Sequence, residues 1–156
     1  ATANTRSTAP NRAPNAPDWA PNPGGTQPEV VADNMHDLME YVFQPTQQRL
    51  QNGLAAEPSS VSEWKAVRSD ALFVAESCNL LFTRSPSENV SAWKRHTAAT
   101  RQQGAALYEA ACDQDLPAAA TAYSSLMQSC NACHQQFAGQ NLLTLREDLQ
   151  AQTSTR

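Results

Sequence analysis

Apolar residues recur at intervals of three and four positions over most of this sequence, a spacing that places them along one side of an α-helix. The clearest example follows Ser60 and Glu63 and consists of Trp64, Val67, Ala71, Val74, Cys78 and Leu81. Ser60 and Glu63 match the capping box with which many helices begin. A helix with one apolar side must bury that side against another element. The repeated pattern therefore predicts a bundle of packed helices.

The first helix is expected from about Glu29 to Asn52. Its apolar positions are Val31, Met35, Leu38, Met39, Val42 and Phe43. Pro45 lies inside this pattern and should kink or divide the helix, because proline lacks the backbone N–H that an α-helix uses.

The third helix should begin with Ser85 as N-cap, with Pro86 at its first helical position and Glu88 completing a capping box. Its predicted inner stripe is Trp93, Thr97, Thr100, Gly104, Leu107 and Ala111. The fourth helix should run from about Asp115 to Gly139. With short loops between them, these helices predict an all-α fold, an antiparallel up-down-up-down four-helix bundle.

The two ends of the chain differ from the bundle in composition. Residues 1–28 hold six of the ten prolines and almost no apolar side chains, so a disordered arm or linker is expected there. It would suit a tether between the bundle and a membrane anchor. Residues 29–139 form the predicted bundle, and residues 140–156 are expected to be a loosely docked tail.

Charge and hydropathy exclude two classes of partner. The net charge is −4, with acidic and basic residues interspersed, so the chain has no basic surface to hold a nucleic acid. No stretch approaches the roughly 18 apolar residues needed to span a bilayer.

The segment Cys130-Asn131-Ala132-Cys133-His134 has the form C-x-x-C-H, which is typical of covalent attachment of one haem c. Two thiols at this spacing can add to the two vinyl groups of one porphyrin. The histidine that follows is then placed to donate a ring nitrogen to the iron. Cys130, Cys133 and His134 are thus the predicted cofactor-binding residues, with His134 as metal ligand.

Other uses of these cysteines fit the sequence less well. A thioredoxin-type dithiol expects a βαβ setting, and a structural zinc site needs a second ligand pair near in sequence. The other two cysteines, Cys78 and Cys112, fall at opposite ends of neighbouring helices, about 25 Å apart, which is beyond the reach of a disulfide. Cys78 is expected to serve as core packing.

A four-helix chain with C-x-x-C-H near the end of its last helix resembles the cytochrome c′ and cytochrome c-556 group. The similarity extends from about Glu29 to Phe137 and includes the helix 1 segment Met35-His36-Asp37-Leu38-Met39. The resemblance implies a haem between the helices at one end of the bundle, with a helix 1 residue covering its second face. It also implies a periplasmic protein, and chains of this group are often homodimers.

Three residues of helix 1 are candidates for the second axial position: His36, Met39 and Met35. Alignment with the group places His36 where an apolar or aromatic residue is common, and a histidine there can bind iron. His36 is therefore the first expectation. If its side chain points outward, Met39 becomes the next candidate, with Met35 as a further alternative.

Two functions follow from these alternatives. A six-coordinate haem predicts a one-electron carrier that serves a redox partner protein and catalyses no reaction of its own. A five-coordinate haem predicts binding or sensing of nitric oxide or carbon monoxide. An enzyme such as a peroxidase lacks support, because the sequence shows no separate distal acid–base pair. His96, Arg84, Lys94 and Arg95 fall at the haem end and could pair with propionates, or face solvent.

Overall fold

Helices make up most of the chain described by the computed structural model, which covers residues 30–139 and 141–149. The helices are α1, continuous over Met35–Leu38, a π-helical turn Met39–Phe43 and Gln44–Ala55, then α2 (Val61–Phe82), α3 (Val90–Cys112) and α4 (Leu116–Phe137). No strand occurs in these two ranges, so the all-α class is confirmed. The predicted disordered arm, residues 1–28, lies outside the described residues.

Helix α2 begins and packs as its sequence predicts. The Ser60 side chain accepts a hydrogen bond from the Glu63 backbone N–H, and the Glu63 carboxylate accepts one from the Ser60 N–H at 2.8 Å. The capping box is therefore complete. The six stripe residues are all buried: Trp64, Val67, Ala71, Val74, Cys78 and Leu81.

Helix α1 starts later than expected, and the predicted start near Glu29 is wrong. Residues 30–34 are not helical, and Asn34 is the N-cap. The Asn34 side-chain oxygen accepts a hydrogen bond from the His36 N–H at 2.9 Å. This bond satisfies a donor that has no partner within the helix, so the helix begins directly after Asn34.

Pro45 changes the helix locally without ending it. The π-helical turn Met39–Phe43 precedes the proline, and α-helix resumes over Gln44–Ala55. A π-turn tolerates the missing N–H of Pro45 by widening the hydrogen-bonded loop. The buried Thr46 hydroxyl donates to the Val42 carbonyl at 2.8 Å and so supports the same turn.

The predicted N-cap of the third helix is also wrong, because α3 begins only at Val90. The Ser85 hydroxyl donates to the carbonyl of Phe82 and therefore closes the end of α2 instead of starting α3. Asn89 is the residue that precedes α3, and its φ of 56° is left-handed. The inner stripe of α3 is nevertheless as predicted, since Trp93, Thr97, Thr100, Gly104, Leu107 and Ala111 are all buried.

Neighbouring helices run antiparallel. Contacting residue numbers fall on one helix as they rise on the next, as in Leu81–Trp93, Asn79–Arg101 and Ala75–Gly104 between α2 and α3. Arg49–Asp70 and Gly53–Val67 relate α1 to α2 in the same way, and Trp93–Phe137 and His96–Gln136 relate α3 to α4. The start of α1 and the end of α4 therefore lie at the same end of the molecule.

Helix α4 has the predicted limits, but the segment after it is docked more firmly than expected. Asp115 caps its start by accepting from the Ala118 N–H, and Gly139, with φ of 58°, follows its end. Leu149 is only 1% exposed and belongs to the main core. The expectation of a loose tail is therefore wrong for residues 141–149.

Within the described ranges, none of the helices combines the length and the apolar character needed to cross a membrane.

Replacing Gly104 by valine should lower the free energy of unfolding by about 1–3 kcal/mol. A β carbon at this position would lie 3.1 Å from the Cα atom of Ala75, and this backbone atom cannot turn aside as a side chain does. Gly53→Ala is the control, because its β carbon would meet only the Val67 side chain, at 3.3 Å. The substitution should also stabilise the helix by up to about 1 kcal/mol, since alanine has a higher helix propensity than glycine. Urea denaturation followed by circular dichroism measures both changes. A Gly104→Val protein as stable as the wild type would contradict the close approach of α2 and α3.

Candidate functional site

A small apolar cluster lies at the end of the bundle where α1 starts and α4 ends. Leu38, Leu81 and Trp93 form its buried part, and we call it the end cluster together with the partly buried residues packed on them, Met35, Met39, Val42, Phe43, Cys133 and Phe137. All four helices contribute to it. A separate main core extends along the rest of the bundle. The sequence expectation that the first and last helices meet at one end is confirmed.

Cys130 and Cys133 lie one turn apart on α4 and connect these two apolar regions. Cys130 packs against the main core, and Cys133 packs in the end cluster. Both are partly buried free thiols. Burial raises the pKa of Cys130 to about 12 and also raises the pKa of Cys133, so both thiols are neutral at pH 7. Redox-active dithiols have the opposite property, a lowered thiol pKa.

Cys78 and Cys112 are likewise free thiols, as expected. Cys78 is fully buried in α2, and burial raises its pKa to about 12. Its predicted role as core packing is confirmed.

The imidazole of His134 is held by a backbone carbonyl. Its Nδ1 atom lies 2.7 Å from the carbonyl oxygen of Asn141. Because a carbonyl can only accept, Nδ1 must carry the hydrogen, and the lone pair of the neutral ring is then on Nε2. Metal-binding histidines are typically oriented in this way, with the second nitrogen donating to a carbonyl or carboxylate.

Asn131, which occupies a variable position of the C-x-x-C-H motif, has a role that the sequence reading missed. Its Oδ1 accepts from the Leu143 N–H at 2.7 Å, and its Nδ2 donates to the Leu143 carbonyl at 2.9 Å. The segment after α4 is thereby joined to the motif. Asparagine is a poor helix former that tends to bond to backbone groups, and this was the available signal.

A cavity of about 440 Å³ borders the end cluster, within the range of about 300–1,000 Å³ typical of small-molecule sites. Its walls are Val30, Asp33, Met35, Thr83, Arg84, Ser85, Pro86, Trp93 and Phe137. Arg84 is partly buried there and donates from Nε to the Ala32 carbonyl at 3.2 Å. Lys94 and Arg95, the other basic residues considered for this end, are exposed.

Aromatic rings form one wall of this region. The rings of Trp93 and Phe137 meet edge to face at 5.2 Å between centroids, and the Trp93 Nε1–H donates to the Leu81 carbonyl at 2.8 Å. The His96 ring also meets Phe137 edge to face, at 6.1 Å between centroids, and its Nε2 donates to the Gln136 side-chain oxygen at 3.0 Å. Trp93 is therefore fixed in orientation by two different interactions.

His36 lies on the solvent side of α1, and the expectation that it faces the interior is wrong. Its side chain is 77% exposed, and its Nε2 atom lies 2.9 Å from the Glu40 carboxylate one turn along the same helix. Met35 and Met39 are instead the α1 residues packed in the end cluster. The start of α1 and its π-helical turn therefore present thioethers, rather than an imidazole, to the interior.

The residues at this end fit a haem in their chemistry. They comprise the Cys133 thiol, with Cys130 one turn away against the main core, the His134 imidazole, two thioethers, aromatic rings and one partly buried cation. Met35, Arg84, Trp93 and Phe137 line the cavity, whereas Cys130, Cys133, His134 and Met39 are not among its lining residues. In addition, the Thr97 hydroxyl, one turn after Trp93 on the α3 stripe, is buried without a hydrogen-bond partner in the described residues. Such a group costs about 1–3 kcal/mol unless a bound group or water satisfies it.

Within residues 30–139 and 141–149, no three His, Cys, Asp or Glu side chains are grouped so that they could bind a metal ion directly. No family model, curated protein or solved structure matches the chain. Any assignment of function therefore has to rest on the side chains of the site itself.

Proposed function

We propose that this chain is a mono-haem c-type cytochrome that carries single electrons, with haem c attached through Cys130 and Cys133 and its iron bound by His134. The observation that carries the proposal is the hydrogen bond that orients the His134 imidazole. His134 directly follows Cys133 in the C-x-x-C-H motif, and the bond from Nδ1 to the Asn141 carbonyl leaves Nε2 as the nitrogen that can bind iron.

The protein residues have separate tasks in this proposal. Each thiol would add its sulfur and hydrogen across one vinyl group of the haem, so attachment would need no oxidant. The end cluster excludes water and lowers the local dielectric, which is one of the means by which a protein sets a haem potential. Arg84, a cation on the cavity wall, would be the partner of a carboxylate of the bound group. When bound, the haem supplies reversible one-electron chemistry at iron.

In this proposal Met39 would supply the second protein donor to the iron, and Met35 is the alternative. Both pack in the end cluster, whereas His36 is turned towards Glu40. His134 lies three residues before the end of α4, and Met39 lies four residues after the start of α1. At about 1.5 Å per residue these two positions have nearly the same depth, while Met35 is at the mouth. His/Met ligation is typical of electron carriers.

The second candidate is a five-coordinate haem that binds nitric oxide or carbon monoxide. The exposure of His36 favours it, because the strongest nitrogen donor of α1 is directed away from the interior. Methionines in an apolar cluster also commonly serve as packing. In this case both Met35 and Met39 remain off the iron, and the sixth position is open to a small ligand.

The wider setting belongs to the same proposal. A covalent haem and an electron-carrying role fit an exported, periplasmic protein that meets a redox partner protein at the haem edge. A homodimer remains an expectation from the resemblance to the cytochrome c′ group.

The wild-type protein, produced in a host with haem-ligation machinery, should be red and should keep its haem through denaturing electrophoresis, because thioether bonds survive unfolding. Replacing both Cys130 and Cys133 by alanine should abolish the haem-stained band. The matched control is the pair Cys78→Ala and Cys112→Ala, which removes the two other thiols and should leave the band intact. A colourless, folded wild type with four titratable thiols would exclude the proposal.

The axial ligand can be identified by absorption and electron paramagnetic resonance spectra of three single variants. We expect a low-spin wild type, a high-spin Met39→Leu protein that binds carbon monoxide, and unchanged spectra for His36→Gln and Met35→Leu. The reason is that leucine keeps the packing volume of methionine but removes the sulfur donor.

The other outcomes of this experiment assign the alternatives. A high-spin wild type would support the gas-binding candidate and reject electron transfer through a six-coordinate iron. A high-spin His36→Gln protein would show that His36 turns inward when haem binds. A high-spin Met35→Leu protein would move the ligand to the mouth of the cluster.

A further inference from the structure

We infer that residues 141–149 form a strap that orients the His134 imidazole, and that Asn131 is the positioning residue that holds the strap in register. The inference about the iron rests on the proposed function, but the contacts within the strap do not. The side-chain amide of Asn131 bonds to the backbone of Leu143 rather than to the imidazole. It acts through the backbone of Leu143 and Asn141.

Asn131 forms two hydrogen bonds with the backbone of the strap. Its side-chain amide both accepts from the Leu143 N–H and donates to the Leu143 carbonyl, at 2.7 and 2.9 Å. Both backbone groups of Leu143 are thus satisfied by one side chain. A sliding of the strap by a single residue would break both bonds, so the amide fixes the register of the strap against α4.

The register of the strap also positions the carbonyl that His134 contacts. Asn131 and His134 lie three positions apart on α4, so they are neighbours on one side of the helix. Their partners in the strap, Leu143 and Asn141, are only two residues apart. With Leu143 fixed, the Asn141 carbonyl is left little freedom. The Asn141 N–H also donates to the Ala138 carbonyl at 3.2 Å, which fixes the strap at its beginning.

The far end of the strap is anchored in the main core. Leu149 is 1% exposed in the main core, and Leu143 and Leu145 pack against the same core. Arg146 Nη1 donates to the Asn52 side chain of α1 at 3.3 Å. The strap is therefore held at both ends and in the middle. Apolar burial holds it on the bundle, and the Asn131 amide selects its register.

The chemical consequence concerns the basicity of the ligand. An imidazole that donates from Nδ1 to a carbonyl is fixed in rotation and is a stronger donor at Nε2. A stronger donor stabilises ferric more than ferrous iron, so the intact strap should lower the reduction potential. Loss of the register should raise it.

The test compares Asn131→Ala with Gln135→Ala. Both variants remove an amide side chain from α4 close to the motif, but the exposed Gln135 lies outside the strap contacts described above. We expect Asn131→Ala to keep its covalent haem and to change the Fe(III)/Fe(II) equilibrium about tenfold towards the ferrous form. Tenfold corresponds to 59 mV for one electron. Gln135→Ala should leave the potential unchanged.

Two measurements report on the hydrogen bonds of the strap independently of haem chemistry. Hydrogen exchange at the Leu143 amide should be faster in Asn131→Ala than in Gln135→Ala. The ¹⁵N signals of the His134 ring should show a fixed Nδ1–H tautomer in the haem-free wild type and a tautomer mixture in Asn131→Ala. If Asn131→Ala does not fold, Asn131→Asp serves instead, since it keeps the acceptor for the Leu143 N–H and loses the donor.

The outcomes separate the two proposals. Unchanged exchange at Leu143 and an unchanged His134 tautomer in the Asn131 variant would overturn the strap, whatever the protein binds. If exchange at Leu143 and the His134 tautomer change but the reduction potential does not, the proposed effect of the strap on the reduction potential is wrong. A protein that binds no haem but shows the altered exchange and tautomer would support the strap and reject the proposed function.

Discussion

Burial of one apolar stripe from each of four helices is the interaction on which the rest of the structure depends. Each fully buried side chain such as Leu107 contributes about 1.5–3 kcal/mol, and the stripes of α2 and α3 are buried along their whole length. Gly104 lets these two helices approach closely. Because the stripes fix how the helices align, they also decide which helix ends meet, and the candidate site is formed where the start of α1 meets the end of α4.

The differences between sequence expectation and structure concentrate at this end. They include the late start of α1 at Met35, the π-turn before Pro45, the loop that contains Ser85 and the docked strap. In the first three cases a polar side chain or a proline acts at a helix end or within a helix turn, and in the strap the Asn131 amide binds the backbone of a non-helical residue. Local rules tend to fail at functional sites, where the chain adopts less regular conformations to shape a cavity.

Tertiary contacts gave the site a composition different from the one expected. From the sequence, His36 was the first candidate for an iron ligand because of its imidazole. In the structure its side chain contacts Glu40 and lies outside the apolar stripe of α1 that faces the interior. The thioethers of Met35 and Met39 lie inward instead. Asn131 had no expected role, yet it connects the C-x-x-C-H motif to the segment that contacts His134. The surroundings of His134 are thus set by a segment that follows it closely in sequence and folds back onto α4.

The sequence by itself determined the all-α class, the capping box of α2, the buried stripes of α2 and α3, the limits of α4 and the thiol and imidazole groups of the motif. These features depend on local periodicity and on side chains only a few positions apart. Only the tertiary structure decided the outward direction of His36, the docking of Leu149 and the pairing of Asn131 with Leu143. The physical reason is that an exposed and a buried orientation of one helix position differ in contacts made with other segments. Those contacts exist only once the helices have packed.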